Sequence, residues 1–517
     1  MCLYSEGAFR MCGCGFKQPS LMEEVKVNQA SPERAGPSWD RGVQTDSRGQ
    51  GPAPRLSRGN LFSLLSLWME LFPQEQTEER GPRGVQVVGL VVVADGRVVG
   101  LHSSGSDLHA AQAAILDHGA KLKHMSLYFS RRPCATCIKM VINAGVSEIC
   151  FWPGDPEVSM LSSKDYTSHD ASLQLTEEAA LDALAVDQLK SNSGTQIWVP
   201  LKPLPPGLVQ FVTETSRDSD FMQKMEEEGE EVDQLFNRQQ SQALSLLTSR
   251  FLVSPSQHQK ILSLMKLENF CVEPYFSGLR HNMEHLLHLL SAVVASVPAL
   301  CNYGFYRSSG GSGSTAVSLE VALHCMIQAR LLSYRTEDPK VGVGAVIWVK
   351  RQQGGGPSLM GGLSLVGSGF NAYPSGSQYQ QYPQHDDKQE DRERRKYRFM
   401  IHAEQNAITF RSRAWQAPDA SLLFVTKCPC DECVPLIRAA GVSHIYCSDC
   451  DQDRDKGDIS YRMFRPLQGI HKYCWQKSPV SQSSSPHNGF LGKHRRQMDP
   501  RDVKKLRIEK DPGEQRA

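Results

Sequence analysis

One motif occurs twice in this chain, and the repeat constrains its fold more than any other feature. Residues 131–151 read RRPCATCIKMVINAGVSEICF, and residues 426–447 read TKCPCDECVPLIRAAGVSHIYC. Each stretch carries Pro-Cys-x-x-Cys, a short helical run, Ala-Gly-Val-Ser and a strand-like run. Two copies of one fold explain the match better than chance. The surrounding order repeats too. In the first copy an amphipathic helix at 60–73 (NLFSLLSLWMELFP) precedes strands at 85–93 and 97–100, joined by the hairpin signal Asp95-Gly96. A helix at 108–121, a strand at 126–129, a helix at 135–144 and a strand at 148–152 follow. In the second copy a helix at 317–333 precedes strands at 341–350 and 363–369. A long polar loop at 373–398 leads to a helix from His402, a strand at 421–426, a helix from Asp431 and a strand at 444–447.

This alternation predicts an α/β chain with two related domains. At about 150 residues per domain, 517 residues accommodate them with length to spare. Residues 1–58, rich in Gly, Pro, Ser and Arg, read as disordered. The first copy is assigned to 59–200. A helical connecting region is assigned to 201–314, helical over 220–296 and ending in a Gly/Ser linker at 303–314. The second copy is assigned to 315–476, and 477–517 is a basic, disordered tail.

The charge balance is even, with 57 Lys+Arg against 56 Asp+Glu. This excludes a globally basic nucleic-acid coat. The apolar runs are too short for a membrane span, and the first residues lack the apolar core of a signal peptide. The 15 cysteines are odd in number and several form C-x-x-C pairs. In a reducing compartment that pattern points to metal ligands more than to structural disulfides.

The second copy holds the more complete constellation. His402-Ala403-Glu404 is followed by Pro429-Cys430-Asp431-Glu432-Cys433. One imidazole and two thiolates suit Zn2+ and leave a fourth position for water. Pro429 fits at or just before a helix start. Cys430 and Cys433 then share one face of the first turn, where the helix N-terminus favours the thiolate. His402 opens the preceding helix, so two helix starts can converge on one ion. Glu404 is the expected proton carrier, because bound zinc lowers the pKa of water to about 7 and that chemistry needs a base and then an acid. A closed zinc site completed by Cys428, Cys447 or Cys450 is the competing reading, and it leaves Glu404 without a role.

The pattern H-x-E…P-C-x-x-C is the signature of zinc deaminases, and residues 317–473 resemble the cytidine and deoxycytidylate deaminase superfamily. The resemblance is carried by HAEQNAI from His402, by Gly369-Phe370-Asn371 ending a strand, by DPKVGVGAV from Asp338, and by IYCSD from Ile445. It implies two copies of a three-layer α/β/α cytidine-deaminase-like fold, each around a mixed five-stranded sheet. It also implies zinc as cofactor, a small nucleoside or nucleotide substrate deaminated at cytosine, a homo-oligomer, and a role for Asn371 in positioning the sugar. The plainer reading of Asn371 is a turn residue. Arg392, Arg394, Arg395, Lys396 and Arg398 are candidates to meet phosphates. The interleaved acids make a solvated loop an equal alternative.

The first copy keeps His109, Cys134 and Cys137 at the ligand positions but has Ala111 where Glu404 stands. A methyl group relays no protons, so this copy, although it could bind zinc, is expected to turn over very poorly and to serve as a structural or regulatory pseudo-domain. Basic clusters at 493–496 and 504–507 resemble a bipartite nuclear import signal, which would engage an import receptor. Residues 61–71 have export-like leucine spacing, with a packing helix as the stronger reading. Together they suggest a nuclear and cytoplasmic distribution. Two other functions compete. A polynucleotide deaminase is disfavoured by the balanced charge, by Lys427-Cys428 before Pro429, and by the lack of an aromatic-basic stripe. A non-catalytic nucleotide-binding protein is disfavoured by Glu404.

Overall fold

The computed structural model describes residues 54–478, apart from 74–86, 106–107, 159–170, 228, 230, 308–315, 339–341, 352–358, 378–380, 384–392, 394, 416–417 and 450–458. The basic clusters of the tail, Arg392, Arg394 and Cys450 lie outside the described residues, as does most of the stretch read as a disordered head.

The first half runs α1 (Arg58–Glu70), β1 (Gly89–Ala94), β2 (Arg97–Ser103), α2 (Ala110–His118), β3 (Ser126–Phe129), α3 (Ala135–Asn143), β4 (Glu148–Phe151), α4 (Ala171–Ser191) and β5 (Gln196–Trp198). Helices α5 (Leu208–Arg217), α6 (Asp220–Glu227), α7 (Val232–Phe251), α8 (Pro255–Leu264) and α9 (Tyr275–Ala295) follow. The second half runs β6 (Tyr303–Arg307), α10 (Leu319–Ser333), β7 (Gly344–Lys350), β8 (Leu363–Phe370), α11 (Ala403–Thr409), β9 (Ala420–Val425), α12 (Cys433–Ala439), β10 (His444–Cys447) and β11 (His471–Lys477).

Two mixed sheets result. The first has the order β2-β1-β3-β4-β5, and the second has the matching order β8-β7-β9-β10-β11 with β6 added at its edge. In each, the leading hairpin is antiparallel and the last three matched strands are parallel. The likeness extends to single residues. Both hairpins carry a register shift, between Val92 and Val93 and between Ile347 and Trp348. The Gly89 N–H donates to Ser130 Oγ at 2.9 Å, and the Gly344 N–H donates to Thr426 Oγ1 at 3.2 Å. Both glycines also lie under a helix. A Cβ at Gly89 would come within 2.0 Å of the Ser66 carbonyl, and one at Gly344 within 1.8 Å of the Ala329 carbonyl. Gly344→Ala is therefore expected to push α10 off the sheet at a cost of about 1–3 kcal/mol, read as a lower urea midpoint for the whole chain.

Two expectations change. The helix at 60–73 is not amphipathic, because every residue from Asn60 to Glu70 is buried. It is covered by the first sheet on one side and by α10 and α9 on others. The Trp68 indole N–H donates to the His324 carbonyl at 3.0 Å, and the two rings stack at 4.5 Å. The leucines with export-like spacing, Leu61, Leu64, Leu65 and Leu67, are core residues. The start of the stretch read as a Gly/Ser linker is a strand: Tyr303–Arg307 forms β6, antiparallel to β11, with Tyr303 and Phe305 buried against Trp475, and 308–314 lie outside the described residues. The second sheet therefore has six strands, one more than the resemblance implies. The helical connecting region packs into the core. Leu208, Phe221, Phe236, Leu286 and Leu290 join one apolar cluster with Phe129 and Ile149 of the first sheet and with Phe424 and Trp475 of the second. A smaller cluster fills the opposite face of the second sheet, beneath α11 and α12.

Candidate active site

The fold brings the predicted ligands together because two helix starts meet beside the parallel strands. His402 is the N-cap of α11, in extended backbone, and its N–H donates to the Gln405 side chain at 2.9 Å. His109 caps α2 in the same way, with its N–H donating to Gln112 at 2.9 Å. The two Pro-Cys-x-x-Cys stretches differ slightly. Cys134 is the N-cap of α3, whereas α12 begins only at Cys433, one turn after Cys430. The Cys430 carbonyl still accepts from the N–H groups of Cys433 and Val434, each at 3.0 Å, so the pair spans a single turn.

In the second copy, one ring nitrogen of His402, Nδ1, lies 3.2 Å from Cys430 Sγ and 3.3 Å from Cys433 Sγ. The three donor atoms lie within 4.8 Å of one another. Zinc bonds of about 2.0–2.3 Å place tetrahedral ligands roughly 3.3–3.8 Å apart, so these residues fit the ion. Without a metal, Cys430 alone is biased toward its donor form. Hydrogen bonds from Cys433 and His402 overcome burial and hold the Cys430 thiol down at about 4. The same pairing and burial push Cys433 far up. Burial opposes the His402 imidazolium, yet Cys430, Glu404 and Glu432 hold its pKa up at about 9. The thiolate is therefore favoured at Cys430 and the thiol at Cys433, and binding a divalent cation would release protons from the ligands. Cys447 does not complete the set. Its Sγ lies 3.7 Å from Cys474, and Cys428 is likewise outside the group that converges among the described residues.

Glu404 occupies the second position of α11, buried to 4 % exposure. Burial pushes its carboxyl up to about 7, the Cys430 thiolate adds to this, and His402 opposes it. A carboxyl that exchanges protons near neutral pH is suited to act as both base and acid. Ala111 takes the same helix position in the first copy and is fully packed in the core.

Asn371 follows β8 and is buried. Its Oδ1 accepts from the Val343 N–H and from Thr336 Oγ1, both at 2.8 Å, so this end of the amide ties the chain ahead of β7. Among the candidate phosphate contacts, Lys396 is wholly buried and pairs with Asp338 at 2.7 Å. It is a strut of the loop rather than a surface cation, and that expectation is corrected. Arg398 is exposed and Arg395 half-buried. Sequence reasoning missed three contributors. Lys427 bonds Asp220 of α6 at 2.8 and 2.9 Å, which anchors the approach to Pro429. Glu432 lies 3.8 Å from His402 Nε2. Glu157 sits against His109 and Cys134 in the first copy. Glu432 lies within the cysteine motif and Lys427 just before it, but neither position announces a role, and Glu157 is brought in by tertiary packing alone.

A histidine and two cysteines at paired helix starts, with a buried carboxylate two residues after the histidine, define the deaminase class of α/β proteins. The model of the cytidine and deoxycytidylate deaminase zinc-binding region matches residues 319–449. The cytidine and dCMP deaminase domain-containing protein 1 of Danio rerio is 51% identical over 439 residues, covering 84% of this chain and 92% of the relative. An uncharacterized deaminase in the luxG 3' region of Aliivibrio fischeri is 32% identical over 141 residues, 26% of this chain and 81% of its own length. The dCMP deaminase from the cyanophage S-TIM5, solved in apo form, is 25% identical over 30% of this chain and 98% of its own, with a TM-score of 0.20. The chain belongs to the cytidine and deoxycytidylate deaminase family. Among the described residues, no helix is long and apolar enough to cross a membrane.

Proposed function

We propose that the second copy deaminates the cytosine ring of cytidine or deoxycytidine, free or as a nucleotide, to the uracil form with release of ammonia. One observation carries this reading: Glu404 is buried two residues from His402, beside the paired cysteines. His402, Cys430 and Cys433 would hold zinc, which when bound supplies the Lewis acidity that makes water nucleophilic near neutral pH. Glu404 takes the proton from the attacking water and delivers protons to the ring nitrogen and to the departing amine. A C–O bond forms at C4, the C4–N bond breaks, and cytosine plus water gives uracil plus ammonia. The Nδ2 end of Asn371 would reach the sugar, while its Oδ1 holds the loop.

The test is turnover of cytidine, deoxycytidine, their mono- and triphosphates and single-stranded oligonucleotides by the zinc-loaded full-length chain. Ammonia and a uracil product from the free nucleosides or nucleotides are expected. Product from oligonucleotides alone would favour the polynucleotide reading. No product from any substrate would leave a binding protein. Prior removal of metal with a chelator is expected to abolish turnover, and added zinc to restore it.

A further inference from the structure

We propose that Glu157 is the fourth ligand of the first-copy metal site, so that this site is closed by protein and has no position for water. This inference concerns the first copy alone and does not depend on the deamination reading. The donor atoms of His109, Cys134, Cys137 and Glu157 all lie within 4.8 Å of one another, and all four residues are buried. In the second copy three residues converge in this way among the described residues. Glu157 Oε1 lies 2.8 Å from His109 Nδ1, the nitrogen that also faces Cys134 Sγ at 3.6 Å. Its other oxygen, Oε2, accepts from the Cys134 backbone N–H at 3.0 Å. One carboxylate oxygen is therefore oriented by the helix start while the other points at the donor cluster. That is the arrangement by which an outer hydrogen bond fixes a metal-binding carboxylate.

The backbone is built to present it. The Glu157 N–H donates to the Arg132 carbonyl at 2.8 Å, pinning the loop after β4 to the loop before Cys134. The Arg131 guanidinium bonds the Asp155 carbonyl from the same side at 3.4 Å. A buried carboxylate needs a cation or a full set of hydrogen bonds. Beside two cysteine sulfurs and an imidazole, a divalent ion meets the demand of all four groups at once. Structural zinc sites fill four positions with protein, whereas catalytic ones keep three protein ligands and one open place. The two departures of the first copy therefore belong together. It lacks a carboxylate at the proton-carrying helix position, Ala111, and gains one from the opposite loop where the reacting water would sit.

The experiment uses the full chain with Cys430→Ala and Cys433→Ala, so that the remaining zinc reports on the first copy. Elemental analysis is expected to find one zinc per chain, and two in the unmodified protein. After cobalt replacement, the absorption bands are expected to be unchanged by added azide, because no position is open. Adding Glu157→Ala should weaken metal retention against a competing chelator by at least 10-fold and make the cobalt bands respond to azide. Three results would overturn the proposal: no metal in the first copy, azide-sensitive bands with Glu157 in place, or unchanged retention after Glu157→Ala. The first two readouts need no Glu157 variant, so a failure of that variant to fold leaves the proposal testable.

Discussion

Glu404→Gln is expected to lower the rate of deamination by about 10²–10⁴-fold while leaving the zinc content unchanged. Glutamine keeps the shape of the side chain but cannot accept and return a proton. The residue is within the core at the start of α11, so the change introduces no new exposed surface. Burial and the Cys430 thiolate lift its carboxyl to about 7, which makes proton uptake easier near neutral pH. The reaction needs both protonation states in turn. The check is kcat under saturating substrate beside elemental analysis of the same preparation. A variant with full zinc and wild-type kcat would remove Glu404 from the chemistry.

Glu70→Ala is expected to produce the largest loss of stability, about 3–5 kcal/mol, because it breaks a buried charged network by removing the acid at its centre. The Glu70 side chain is fully buried at the end of α1. It receives Arg131 at 2.7 and 3.1 Å, Arg250 of α7 at 2.7 Å and the Ser130 hydroxyl at 2.6 Å. Alanine would strand Arg131, whose side chain is only 8% exposed. Urea unfolding should show the loss as a lower midpoint, with Glu70→Gln falling between alanine and wild type. A change below about 1 kcal/mol would mean that Arg131 finds another partner.

Elements whose signals are local were legible in the sequence. The strands at 126–129 and 444–447 lie where the β-branched and aromatic runs place them, and Asp95-Gly96 turns the first hairpin with positive φ at both residues. The convergence of His402, Cys430 and Cys433 is legible because the motif sets all three at the starts of neighbouring helical turns. What escaped depends on neighbours distant in sequence. Strand β5 buries only Ile197 of its three residues, so no alternation announces it. Strand β11 has charged and polar ends around buried Tyr473, Cys474 and Trp475, and exists because β10 and β6 flank it. Helix α4 spans 21 residues yet has no clear apolar face in its sequence to announce it. Glu157 carries no motif at all, and only the packing of the loop after β4 against α2 and α3 makes it visible.

The contact of α1 with α10 has a consequence for inherited or engineered variants. Cutting the chain between its halves would not yield two soluble modules, since each fragment would bare the face that holds Trp68 or His324. Damage in the amino-terminal half should therefore act through abundance, as chains that unfold are cleared, and damage around Glu404 through turnover. Two assays on one set of variants, protein level and specific activity, would sort the lesions by which half they strike.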